Sequence, residues 1–380
     1  MLYLAWLPVL IWLYLLCARG GFWRVGRLQS TDAAVPGVAA RVVAVIPARN
    51  EAAVVGLAVQ SLLAQEFAGE LHLILVDDAS SDGTGEVVHS AAARAGAQSR
   101  LTVIRGSGPE PGWSGKVSAM AQGVAAAAAL QPDYLLFTDA DIHHNPENVA
   151  HLVAHARQLN ADLLSSMVQL SISNNAERWL IPAFVFFFLK LYPPAWIARR
   201  GAVTAGAAGG CMLVRPEALA RAGGLAAIRG QIIDDCALAR AIKGSGGQVY
   251  LGLTRNAHSL RPYGSLGEIG RMIARSAFNQ LQHSRLLLLG TLLGLVLTYL
   301  LPPLLILSGK PATLLAGVGA WGLMSLCYLP MVRFYGLNPL WTLTLPAAAI
   351  FYAGASVYSA WQYRRGRGGQ WKGRAQDSRV

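Results

Sequence analysis

The chain has 380 residues, a hydrophobic fraction of 54%, only 14% charged residues and a formal net charge of +12. That balance excludes an ordinary soluble globular protein and points to a folded domain joined to membrane segments. The positive charge, mostly arginine, flanks apolar runs instead of interleaving with aromatics, which argues for membrane orientation and against a nucleic-acid partner.

Residues 1–18 hold the apolar run LYLAWLPVLIWLYLLC, at the lower end of spanning length. It has no basic leader and no small-residue cleavage motif behind it, so it reads as an uncleaved anchor. Arg19, Arg24 and Arg27 place its C-terminal end on the cytoplasmic side. Residues 30–40 read as a linker. Short apolar runs at 41–46, 71–76, 101–104, 133–141 and 161–168 then alternate with helical stretches at 51–65, 84–95, 115–130 and 146–158. Buried strands separated by helices predict an α/β domain with a mostly parallel, helix-covered sheet. Carboxylates fall repeatedly at the C-terminal ends of these strands, the edge where open α/β sheets bind ligands.

The segment 179–200, WLIPAFVFFFLKLYPPAWIARR, is apolar but carries Pro182, Lys190 and Pro193-Pro194. These argue against a clean span and for a helix in the membrane interface, with a core helix as the alternative. Residues 285–361 contain three runs of spanning length, 286–307, 313–331 and 340–361, before a basic tail at 362–380. Three spans after a cytoplasmic domain leave that tail outside, against the positive-inside rule. The proline-broken first run or the Ala/Gly-rich third is then re-entrant or interfacial. The four cysteines (Cys17, Cys211, Cys236, Cys327) match neither zinc nor redox spacing.

Within the α/β region, VIPARNE (45–51) is a strand–turn–helix junction containing Pro47, Asn50 and Glu51. In LVDDASSDGT (75–84), Asp77 and Asp78 either accept hydrogen bonds from a nucleobase and ribose or build a turn capping the next helix. PGWSGKVSAMAQG (111–123) puts Lys116 at a helix start, suited to a diphosphate or simply exposed; it is not a P-loop. In FTDADI (137–142), Asp139 and Asp141 sit at i and i+2, on one side of an extended chain. They read as a hard-oxygen site for Mg²⁺ or Mn²⁺ shared with substrate phosphates, or as a polar turn. His143 and His144 are further candidate ligands or exposed loop residues. Asp234 and Asp235 begin a helical stretch and either complement its dipole or supply a general base. Arg271 and Arg275, at i and i+4, can hold a diphosphate or flank the following span.

In their order, P-x-x-N-E at 47–51, V-D-D-x-S-x-D-x-T at 76–84, D-x-D at 139–141, D-D at 234–235 and the arginine helix at 271–276, these motifs resemble the family 2 glycosyltransferases over residues 41–280. The membrane layout is similar to ceramide glucosyltransferases. PGWSGK, TDADI and the late WKGR look closest to hopene-associated glycosyltransferases of bacterial hopanoid clusters. The resemblance implies a GT-A (nucleotide-diphospho-sugar transferase, Rossmann-like) domain with N- and C-terminal transmembrane helices. It implies a bacterial inner-membrane, multi-pass enzyme, its catalytic domain cytoplasmic, moving a sugar from a UDP-sugar to a lipid or isoprenoid acceptor. Asp77 and Asp78 would contact uridine, Lys116 the diphosphate, Asp139 and Asp141 the ribose and a divalent metal, and Asp235 would deprotonate the acceptor. The pattern's terminal Trp is replaced by Ser276, which favours one transfer per lipid over processive polysaccharide synthesis. An inactive scaffold of the same fold is a third reading, opposed by the retained D-x-D and Asp235. Sugar, acceptor and oligomeric state are not legible.

Overall fold

The computed structural model describes residues 2–25, 39–371 and 374–375. Arg27, most of the 30–40 linker and the end of the basic tail lie outside the described residues. The chain divides into two compact units. One is built on a sheet and comprises 28–171, 196–261 and 370–380; the other is helical and comprises 1–27, 172–195 and 262–369. The region 41–280 is thereby shared: 172–195 and 262–280 fall with the helices.

Among the described residues, the sheet has strands β1 (Arg41–Ala48), β2 (Glu70–Asp77), β3 (Leu101–Arg105), β4 (Tyr134–Thr138), β5 (Ile142–His144), β6 (Leu163–Gln169), β7 (Cys211–Val214) and β8 (Val249–Ser259). Their order is β3-β2-β1-β4-β7-β6-β8-β5. The first four strands pair in parallel, as the alternating pattern predicts. Beyond β4 the sheet is mixed: β7 runs antiparallel to β4 and β6, β8 is parallel to β6, and β5 is antiparallel to β8. β1 is buried along seven of its eight residues because helices cover both faces. Val42, Ala44 and Ile46 pack in one core with Val55, Val59 and Leu62 of the helix Val55–Leu63 and Val88 of the helix Thr84–Arg94. The helix Gly115–Ala127 packs on β1 and β2. This stacking brings the ends of β1, β2 and β4 to one edge.

In the helical unit, four helices among the described residues are long and apolar enough to cross a membrane: Asn175–Ile197, Arg285–Ile306, Pro311–Phe334 and Pro339–Arg364. The N-terminal apolar helix Tyr3–Cys17 is shorter. Residues 175–191 form one helix despite Pro182, capped by Asn174 and Glu177 in a reciprocal capping box. Pro302 and Pro303 follow a π-turn at Val296–Leu300, which interrupts the helix there. Several small residues face inward and several leucines outward. Ala316 and Ala320 are buried, whereas Leu286, Leu289, Leu293 and Leu315 are exposed. A Cβ on Gly317 would meet Pro302 O at 2.7 Å, so only glycine lets these helices approach so closely. Some interior polar groups are paired: Trp12 Nε1 donates to Thr298 O (2.8 Å) and Lys190 Nζ to Tyr299 OH (2.7 Å).

Candidate active site

The loops after β1 and β2 are stitched to each other. Asn50 and Ala79 both take φ of 52°, a left-handed turn conformation that Asn tolerates and Ala resists. Asn50 N–H donates to Ser80 Oγ, Ser81 N–H to Asn50 Oδ1, Glu51 N–H to Thr84 Oγ1 and Ala52 N–H to Asp82 Oδ2. Asp77 Oδ1 accepts from Ser80 N–H at 2.9 Å. Arg49 Nη1 donates to Asp78 O at 2.5 Å and lies 3.9 Å from the buried Asp78 carboxylate. The turn reading of this motif is realised by Asp77 and Asp82, while Asp78 is buried beside a cation. Asp82 is nearly exposed. Its slight burial is outweighed by hydrogen bonds from Thr84 and Ala52, which hold its carboxyl below the usual range.

The D-x-D segment departs from the extended geometry expected of it. β4 ends at Thr138, and Asp139–Asp141 is a turn closed by Ile142 N–H on Asp139 O. The two carboxylates consequently engage different cations. Asp139 Oδ1 lies 2.8 Å from Lys116 Nζ. Asp141 Oδ2 lies 3.3 Å from Arg261 Nε, and the same guanidinium bonds Glu51 through Nη2. As a donor set for Mg²⁺ or Mn²⁺ the pair fits in chemistry: two hard carboxylates, with that of Asp139 36% exposed. Among the described residues no group of three or more His, Cys, Asp or Glu could hold a metal.

His144 is not a candidate ligand. It is buried, with Nδ1 facing Asn148 Nδ2 (2.8 Å) and Nε2 facing Thr138 Oγ1 (3.0 Å). His143 stacks on His258 across β5 and β8 at 4.6 Å.

Lys116 lies in the first turn of the helix Gly115–Ala127, whose N-cap Ser114 accepts from Val117 N–H. Its ammonium also lies 3.4 Å from Asp234 Oδ2. Burial acts to lower its pKa, but Asp139, Asp234 and Asp235 outweigh burial and hold it above the ordinary lysine range. Asp234 and Asp235 start the helix Asp234–Gly244. Burial, and then the Asp234 carboxylate, push Asp235 up to about 6, against Lys116 and the N–H groups of Cys236 (2.7 Å) and Gly209 (2.9 Å). A Cβ on Gly209 would stand 3.3 Å from Lys116 Nζ and 3.4 Å from Asp235 Oδ2, so glycine keeps this corner open. A carboxylate with a raised pKa beside a fixed cation has the properties of a general base next to an anion-binding group.

Lys116, Asp139, Asp234 and Asp235 thus converge, as do Glu51 and Asp141 through Arg261. Pro47 lies within β1, one residue before its end, paired with Val76. Arg271 and Arg275 lie exposed on the helix Leu266–Gln280 of the other unit, where Arg271 faces Glu268 at 3.9 Å. Arg49 and Arg261 escaped the sequence reading, which marked Gly209 only as part of the small-residue loop 205–213. Arg261 follows β8 with no motif around it; a single arginine after a strand gives no local signal.

Residues 43–223 match the model of the family described as Glycosyl transferase family 2. The chain carries a glycosyltransferase family 2 domain of GT-A-like α/β fold and is a glycosyltransferase. Mannosyltransferase PcManGT from Pyrobaculum calidifontis, solved with GDP-Man and Mn²⁺, is similar at 18% identity over 92% of this chain and 99% of its own, with a TM-score of 0.52. That likeness is one of fold. TarS 1-349 from S. aureus, in complex with UDP-GlcNAc, aligns at 12% identity over 88% of this chain and 95% of its own, with a TM-score of 0.39. Mannosyl-3-phosphoglycerate synthase from Rubrobacter xylanophilus aligns at 16% identity over 71% and 86%, with a TM-score of 0.42. No curated protein matches the sequence.

Proposed function

We propose that this glycosyltransferase is an inverting, membrane-bound enzyme. It transfers a hexose from a nucleotide-diphosphate sugar, UDP-linked by resemblance, to the hydroxyl of a lipid or isoprenoid acceptor of the hopanoid kind. The observation that carries the reading is the cluster of Lys116, Asp139, Asp234 and Asp235, which sets a raised-pKa carboxylate beside a cation. Asp235 takes the acceptor proton as the hydroxyl oxygen bonds to the anomeric carbon. The bond from that carbon to the diphosphate breaks on the opposite side, which inverts the centre. Lys116 holds the departing diphosphate. Asp77 and Asp78 face the base and ribose, with Pro47, Asn50 and Glu51 shaping the same loop. Arg271 and Arg275 are assigned to the diphosphate. Asp139 and Asp141 would hold Mg²⁺ or Mn²⁺, which when bound neutralises charge on the leaving group.

The four long apolar helices, with leucines on their outer faces, support a bilayer setting in the bacterial inner membrane. The sheet unit is assigned to the cytoplasm, where nucleotide sugars are. The segment 179–200 is assigned to the membrane as well. Incubating the full chain with labelled UDP-hexoses and extracted membrane lipids tests the reading. Release of UDP with a single-sugar lipid is expected. A polymeric product would make the protein a synthase, and no release with any donor would make it an inactive scaffold.

A further inference from the structure

Behind the D-x-D turn runs a buried chain of hydrogen bonds that none of these roles uses. Thr138 Oγ1 donates to Gly210 O at 2.9 Å. With its single proton spent there, the hydroxyl accepts from His144 Nε2–H at 3.0 Å. His144 Nδ1 then accepts from Asn148 Nδ2 at 2.8 Å, which fixes one neutral tautomer. Burial, aided by His143 and His258, holds this imidazole down to about 3, in keeping with a ring that never charges. His144 is also pinned by its backbone, whose N–H donates to Ser61 Oγ at 3.0 Å.

The two ends of this chain lie next to reacting groups. Thr138 immediately precedes Asp139. Gly210 follows Gly209, whose N–H holds Asp235 Oδ2. On the other side of the glycines, Ser165 Oγ accepts from Ala208 N–H at 2.8 Å and donates to Ala208 O at 3.1 Å. The glycines therefore have no side chain to hold them and are fixed by bonds at both ends. β7 begins at Cys211 opposite Thr138, so the same hydroxyl sits where β4 and the glycine loop meet.

We propose that Thr138 and His144 are positioning residues that set the distance between Asp139 and Asp235 by fixing Gly209–Gly210 against the end of β4. Neither touches substrate. The pair acts through Gly209 N–H on the base and through the peptide leading into Asp139. A buried polar chain of this kind specifies one arrangement when every member is satisfied, and loss of one hydroxyl leaves Gly210 O and His144 Nε2–H without partners. The inference rests on the proposed transfer reaction and on Asp235 as its base.

The test compares Thr138→Val, which keeps shape and removes the hydroxyl, with Thr138→Ser, which keeps the hydroxyl. Full-length enzymes are assayed for kcat and donor KM with UDP-hexose, and for UDP binding by calorimetry. T138V is expected to lower kcat about ten- to a hundredfold, the scale of a misplaced reacting group, with UDP affinity, to which Asp139 contributes, lowered far less than kcat. T138S is expected to recover most of the rate. An unchanged kcat in T138V overturns the proposal. So does a parallel loss of UDP affinity, or a T138S enzyme as slow as T138V. If T138V does not melt cooperatively, His144→Gln against His144→Leu decides by the same comparison, since Gln keeps an N–H towards Thr138. A parent enzyme that transfers no sugar overturns the functional reading and this proposal together, whereas an active parent with an indifferent T138V overturns this proposal alone.

Discussion

The two halves of the sheet treat the same residue type in opposite ways. In the parallel half, Asp77 Oδ1 accepts from Ser80 N–H of its own loop, and Asp82 accepts from Thr84 and from Ala52 N–H of the loop after β1, bonds that hold it below its usual range. In the mixed half, Asp235 is buried against a second carboxylate and pushed up to about 6. Hydrogen bonds from exposed backbone favour the charged form; burial beside a like charge disfavours it. What surrounds an aspartate therefore sets its protonation: Asp82, in the loop after β2, and Asp235, at the start of the helix Asp234–Gly244, are moved in opposite directions.

The largest effect that would test this contrast is Asp235→Asn. Transfer should fall by about a thousandfold or more, the scale of a lost general base, while UDP binding stays within a few-fold of the parent. Transfer surviving at a tenth of the parental rate would remove Asp235 from the chemistry and dissolve the contrast. Lys116→Met should cost about a hundredfold in kcat and weaken donor binding as well, because the cation serves both the carboxylate cluster and the diphosphate. A Lys116→Met enzyme with unchanged donor affinity would confine the lysine to charge balance within the protein.

Next in size is the pH response. Asp235 must be ionised to act, so kcat/KM should fall about tenfold per unit as pH drops below about 6. The same raised pKa has a stability consequence of opposite sense. Its contribution is full below the unfolded carboxyl pKa and is lost as pH rises through about 6. Asp235→Asn should therefore melt higher than the parent at pH 7.5, by roughly 1–2 kcal/mol, with the gain vanishing near pH 4. A gain independent of pH would trace to packing instead of charge. Smallest is Asp82→Ala: about 1 kcal/mol of stability and a few-fold rise in donor KM, with kcat nearly unchanged. If Asp82→Ala reduced kcat as severely as Asp235→Asn, the two halves would not differ as argued.

Much of the parallel half was legible in the chain. β1, β2 and β3 are apolar runs with local signals, though β1 continues through Pro47 to Ala48 instead of stopping there. In the mixed half, β6 was legible as the apolar run 161–168, but β7 and β8 were not. β7 is four residues long between a glycine loop and Pro216, and β8 carries Arg255, Asn256 and His258 within its run, which hides its apolar alternation. For the D-x-D motif, spacing alone suggested two carboxylates on one cation; the turn at Ala140 sends them to Lys116 and Arg261 instead. The meeting of Lys116 with Asp139 and Asp234 joins positions 23 and 118 residues apart, and no periodicity carries that. Asp235 was found because it follows another acid at a helix start, but its raised pKa comes from burial that only the folded chain supplies.

The helical unit carries its own consequence, seen at Gly317 and the leucines around it. In a water-soluble bundle, drift is free on the outside and restricted to similar apolar side chains within. In the proposed bilayer setting the outer positions Leu286, Leu289, Leu293 and Leu315 should exchange freely among Ile, Val and Phe but reject charge. At the inner contact, by contrast, any side chain at Gly317 forces Pro302 and Ile306 to shift. Homologous chains will therefore look most alike where their side chains are smallest, and a search weighted towards large apolar residues will underrate their kinship.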